Sequence, residues 1–170
     1  LRETERARNE YVSNIRNDES LYVQFAREVI EKYVIDGETL NFEKSRYYLD
    51  DFLKSTRKGV FVSIKDSGGL RGCIGTYRST MDCLGLEIIH NAISAATRDP
   101  RFPAIGEEEL DDLIITVDVL EKPEVVEDEN ELDPVKFGVI VSNDYKKGLL
   151  LPNLKGIDTV DEQLRIARNK

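Results

Sequence analysis

Arg71 and Cys73, two positions apart in the stretch SGGLRGCIGTY (67–77), are the residues whose types and spacing could do chemistry. A thiol attacks as its thiolate, and a guanidinium on the same strand face would favour that charged form. Four glycines, at 68, 69, 72 and 75, crowd the same stretch. Glycine weakens a strand and gives a core nothing to pack. Gly72 and Gly75 therefore read as clearing space above the strand for an approaching group, with Thr76 at its rim. His90, the only histidine, is the one side chain whose ordinary pKa makes it a ready base near neutrality. At helical spacing it shares a face with Cys83, Glu87 and Ser94. Cys73 as nucleophile, Arg71 as its electrostatic support and His90 as proton carrier make one candidate machine. Each residue also has a plainer reading. A free cysteine often behaves as a small buried hydrophobe, and a single helical histidine is ordinarily a surface or interhelical group.

A second cluster, Arg98, Asp99 and Arg101, lies in TRDPRFP (97–103). A forked Arg–carboxylate pair could brace this proline-rich connector. Alternatively, one arginine stays free and joins Arg71 in clamping a carboxylate or phosphate. The reading favoured here is a binding module. Its groove is lined by Arg71, Gly72, Cys73, Gly75, Thr76, Asp99 and Arg101, and it receives an anionic small molecule or a partner's peptide. The cysteine enzyme is the alternative, and a purely architectural motif is a third reading. Cys83, Glu87 and His90 make too weak a set for zinc, so no metal and no cofactor is expected. Nucleophile-elbow, phosphate-loop and dinucleotide patterns are absent from the sequence.

Charge and composition narrow the class. The 170 residues carry a net charge of −9, which argues against a nucleic-acid binder. From Lys54 to Arg101, however, eight basic residues face four acidic ones, so the middle is +4 and the rest −13. An anion would be drawn to the middle. No apolar run approaches membrane-spanning length. The two cysteines fit neither a CxxC nor a zinc spacing, which suits free thiols in a reducing cytoplasm.

Those residues need elements to hold them. Residues 1–20 read as a charged arm, an exposed helix or a loose segment, ahead of a domain over 21–170. Leu21, Phe25, Val29, Ile30 and Tyr33 recur at helical spacing until Asp36-Gly37. A short turn at 45–54 is expected to point Leu49, Phe52 and Leu53 inward. GVFVSIKDSGGLRGCIGTY (59–77) reads as a hairpin. A three-residue loop, 66–68, would pair Ile64 with Leu70 and Val62 with Gly72, with Gly68 in the left-handed conformation. Arg71 and Cys73 would then share the other face. A helix capped by Asp82 should run to Arg98, burying Leu84, Ile88, Ile89, Ala92, Ile93 and Ala96. LIITVDVL, FGVIVS and GLLLP read as further strands, and TVDE (159–162) as a capping box opening a last helix.

LRGCIGT (70–76), NAISAATRDPRFP (91–103) and GLLLP (148–152), in this order, resemble the AMMECR-one-like family, whose prokaryotic branch is called AmmeMemoRadiSam system protein A. The resemblance runs from about Leu21 to the C-terminus. It implies an α+β fold with largely antiparallel sheet, flanking helices and two unequal lobes. It implies no reaction. It does imply Memo-like and radical-SAM-like proteins as partners. The charged arm departs from the pattern, and the C-terminus is expected to stop short of the family's usual end.

Overall fold

The computed structural model describes residues 2–169. Helix α1 (Arg2–Asn17) covers the charged arm, and α2 (Leu21–Asp36) follows. The Ser20 hydroxyl accepts from the Val23 N–H at the start of α2, and Gly37, at φ 70°, donates to the Tyr33 carbonyl at its end. The apolar face read from the sequence is buried: Phe25, Ala26, Val29 and Ile30 are inaccessible to solvent. Phe25 stacks on Phe42 and Tyr47, with centroids 5.7 and 4.4 Å away.

The segment after residue 45 corrects the expectation. Residues 46–49 form a tight 3-10 turn, and Asp50 then caps a separate short helix, α3 (Asp51–Ser55), accepting from the Leu53 N–H at 2.8 Å. Because the cap resets the helical phase, Tyr47 and Leu53 turn inward. Leu49 and Phe52 stay exposed.

The first sheet has the order β2-β1-β3, antiparallel throughout, with β1 (Val60–Asp66) between β2 (Gly69–Gly75) and β3 (Ile114–Val119). Val60, Val62 and Ile64 alternate inward and are fully buried against α4 (Leu84–Thr97) and α2. The buried face of α4 is as expected, but its start is not. The cap position falls on Cys83, which makes no side-chain bond, and the Thr56 carbonyl takes the Leu84 N–H at 2.7 Å.

The hairpin register differs from the sequence expectation by two residues. Val62 pairs with Ile74 and Ile64 with Gly72, and Ser63 faces Cys73. The turn between the strands is the two residues Ser67 and Gly68, and Gly69, not Gly68, takes the positive φ. A two-residue turn alone would mismatch the faces. A bulge at Arg71 supplies the missing residue, since Lys65 pairs with Leu70 while Ile64 pairs with Gly72. Leu70 is thereby turned off the core row and is exposed.

Two compact units divide the chain, Leu1–Pro123 and Glu124–Lys170. The second contains β4 (Val139–Ser142), β5 (Lys147–Leu150) and α5 (Val160–Arg168) around Val139, Leu150, Leu164 and Ala167. Thr159 caps α5 by accepting from the Glu162 N–H, while the reciprocal Glu162 bond of the expected capping box is not formed among the described residues. Helices pack on antiparallel strands in both units, so the fold is α+β with two unequal lobes.

Candidate functional site

The motif residues meet around the backbone of Cys73. The pairing of Ile64 with Gly72 and Val62 with Ile74 points the Cys73 N–H and C=O away from β1, toward the open edge of β2. The connector after α4 closes that edge. Asp99 Oδ2 accepts the Cys73 N–H at 2.9 Å, and Arg101 Nη2 donates to the Cys73 carbonyl at 3.3 Å. Arg101 also forks onto Asp99 through Nε at 2.9 Å and Nη2 at 2.7 Å. This acid–base pair does for Cys73 what a neighbouring strand would do. The fork holds the Asp99 carboxyl far below the usual carboxylate range against the opposing push of burial, and the Cys73 and Arg101 N–H groups add to it.

Arg71 is an internal brace. Its Nε and Nη2 fork onto Glu109 at 2.7 and 2.8 Å, and Nη1 and Nη2 donate to the carbonyls of Pro103 and Ala104. The side chain is only 11% exposed. The expectation that it faces open space is therefore corrected: the space is filled by residues 103–109. Glu109, in turn, is held below its usual range first by Arg71 and then, after burial's opposing push, by the Gly106 N–H.

The glycines make room for the protein itself. A Cβ on Gly72 would run into the Ala95 carbonyl of α4, and one on Gly75 into the Phe61 ring and backbone. Thr76 is likewise committed. Its hydroxyl donates to Glu87 at 2.6 Å and accepts from the Asn91 amide at 3.3 Å.

Glu87 has a role that sequence reasoning missed. It is fully buried on α4 and gathers the loop after β2: the Thr80 and Met81 N–H groups and the Thr76, Ser79 and Thr80 hydroxyls all donate to its carboxylate. Burial pushes its pKa up, but these hydrogen bonds outweigh that and leave it below the usual range. A carboxylate between Leu84 and Ile88 on an apolar helix face, downstream of a Ser-Thr pair, was the available signal. Glu109 gave none, since it is distant in sequence from Arg71.

Cys73 and His90 are not brought together. Gly72 faces α4, so the next residue, Cys73, projects to the other side of the sheet. His90 is exposed on α4 and lines a shallow depression with Tyr33, Leu86, Ile93 and Arg98. The neighbours of the Cys73 sulfur are different groups. Sγ lies 3.2 Å from the Ser63 hydroxyl. Cys73 is half-buried and Cys83 buried, both as free thiols. Arg101 remains 53% exposed at its side chain, and no bond to its Nη1 is formed among the described residues. No group of three metal-ligating side chains occurs among the described residues.

Comparison with known proteins covers nearly the whole of this arrangement. The family model described as AMMECR1 matches residues 23–170. A protein of Thermotoga maritima is 51% identical over 150 residues, spanning 88% of this chain and 84% of that one. Protein CA_C1420 of Clostridium acetobutylicum is 46% identical over all 170 residues, which make up 36% of its own length. Among solved structures, the uncharacterized protein PH0010 from Pyrococcus horikoshii superposes with a TM-score of 0.70 at 33% identity, covering 77% of this chain and 67% of that one.

Proposed function

The chain belongs to the AMMECR1 family, and from that premise we propose that its domain is a binding module that takes an anionic group, a carboxylate or phosphate, beside Cys73. The anion is carried by a small molecule or by a partner protein. One observation carries the reading: the Asp99 and Arg101 pair fixes both backbone groups of Cys73 while its thiol stays half-exposed beside the Ser63 hydroxyl. Sites that bind are built this way, with contact groups held by partners that are themselves locked. Arg101 supplies the cation. Its fork serves Asp99, and its outer edge faces solvent in the basic middle of an acidic chain. Arg71, Gly72, Gly75, Thr76 and Asp99 then serve as the frame, not as direct contacts. His90 gives the alternative, a cysteine nucleophile, no proton carrier.

Memo-like and radical-SAM-like partners, and residence in the cytoplasm, belong to the same proposal and rest on the resemblance and the free thiols. No helix among the described residues is long and apolar enough to cross a membrane.

Citrate and pyrophosphate serve as probes, titrated at constant ionic strength against iodoacetamide labelling of Cys73, with Cys83 as the buried control. An occupied site should slow Cys73 labelling saturably. Arg101→Gln should weaken that protection by about tenfold, the loss of one charge-assisted bond. Labelling that ignores both anions, or protection that survives Arg101→Gln, would sink the proposal.

A further inference from the structure

Helix α4 is apolar over a wider arc than one packed face requires. Leu84, Ile88 and Ala92 fill its inward side and are inaccessible to solvent. Ile89, Ile93 and Leu86 continue the apolar arc round the helix, to about 200° from Leu84 at 3.6 residues per turn. A stripe of about 100° is enough to seat a helix on a core. The surplus forms the floor of a depression of about 330 Å³, and Leu86 in it is 37% exposed. The polar groups lining the same depression are the Arg98 guanidinium, the His90 imidazole and the Tyr33 and Thr39 hydroxyls. All four can donate hydrogen bonds, and Arg98 can only donate. None of these side chains makes a hydrogen bond or ion pair among the described residues. No carboxylate lines the depression, although the chain has 33 acidic residues against 24 basic ones. Asp36 and Glu38, beside Tyr33 and Thr39 in the chain, are taken by Lys32 at 3.2 and 3.0 Å. Glu87 is buried and saturated by its own loop.

We infer that this depression binds a small apolar carboxylate, its body on Leu86, Ile89 and Ile93 and its charged end on Arg98 and His90. Both halves of the ligand follow from the lining. An apolar floor rewards a body that displaces water from it. A set of unpartnered donors with no acceptor-only group among them rewards an anion and rejects a cation. The planar fork of Arg98 fits the two oxygens of a carboxylate. Size narrows the class further. The volume lies at the small end of the range for ligand sites, roughly 300–1,000 Å³, so the body is one or two rings and not a segment of protein. This site is separate from the one proposed beside Cys73, which lies on the far side of the sheet from α4.

The test is a titration of naphthoate into the whole chain at constant ionic strength, read by amide NMR shifts. The amides of Leu86, Ile89, His90 and Ile93 should move saturably. Acetate has the charge without the body, and naphthylmethanol the body without the charge. Each should bind at least about tenfold more weakly than naphthoate. Arg98→Gln should weaken naphthoate by about tenfold, the loss of one charge-assisted bond. Leu86→Asn should weaken it as well, by loss of floor. Both positions are exposed, and circular dichroism confirms that each variant is folded. Iodoacetamide labelling of Cys73 in the same samples reads the other site, so failure of one proposal is told apart from failure of the other. Four results overturn the inference: no saturable shift along α4, acetate or the alcohol binding as tightly as naphthoate, Arg98→Gln or Leu86→Asn leaving the affinity unchanged, and shifts at these amides that depend on protein concentration without ligand, which would make a second copy the occupant.

Discussion

Arg71 carries the sharpest difference between what a residue type suggests and what its surroundings make of it. A planar fork fits a carboxylate from a ligand or from the protein equally well, and here the carboxylate is Glu109. The consequence is a stability role. Arg71→Ala leaves Glu109 and two carbonyls without their donor and should cost about 2 kcal/mol. Arg71→Lys should recover only part of that, because an ammonium cannot span both carboxylate oxygens. Urea denaturation of the two variants and of Glu109→Gln checks this. The Arg71 and Glu109 substitutions should be strongly non-additive, as expected for one shared interaction. Additive losses would place the Arg71 contribution elsewhere.

At the scale of elements, the hairpin depends on two spatial coincidences. The bulge at Arg71 restores the core row that a two-residue turn would otherwise shift by one, and it puts the arginine within reach of the connector. Gly72 then lets α4 approach until the Ala95 carbonyl sits where a side chain would begin. Gly72→Ala should therefore push strand and helix apart and destabilise the fold by about 2 kcal/mol, within the range for overpacking. The same move at Gly69 meets open space, but that residue's φ of 116° makes the substitution a matter of backbone strain. Amide shifts in α4 separate the two cases: Gly72→Ala should perturb residues around Ala95, and Gly69→Ala should leave them alone.

For the whole molecule, the depressed carboxyls make stability fall at low pH, while Asp118, pushed up by burial against the opposing pull of Lys65, acts in the opposite sense. Asp99, held by Arg101, Glu109, held by Arg71, and Glu87, held by its loop against burial, all bind protons less readily folded than unfolded. Their contribution is fully present above the ordinary carboxyl range, about pH 4, and is lost as pH falls through the depressed folded values. Asp99→Asn should lower stability at neutral pH and flatten its decline below about pH 4. Urea titrations across that range check it, and an unchanged slope would mean Asp99 is not a source of the dependence. The sequence by itself determined the local order. Hydrophobic periodicity, the Asp36-Gly37 stop, the Thr159 cap and the alternation along β1 are each written in a few neighbouring residues, and the motifs drew the candidate site to LRGCIGT. Only the tertiary structure decided what each polar group does. Arg71 is distant in the chain from Glu109, and Cys73 from Asp99 and Arg101. No local pattern encodes which distant carboxylate or carbonyl fills a donor's reach. That choice follows from how closely α4 and the connector can approach a strand that has no side chain at Gly72.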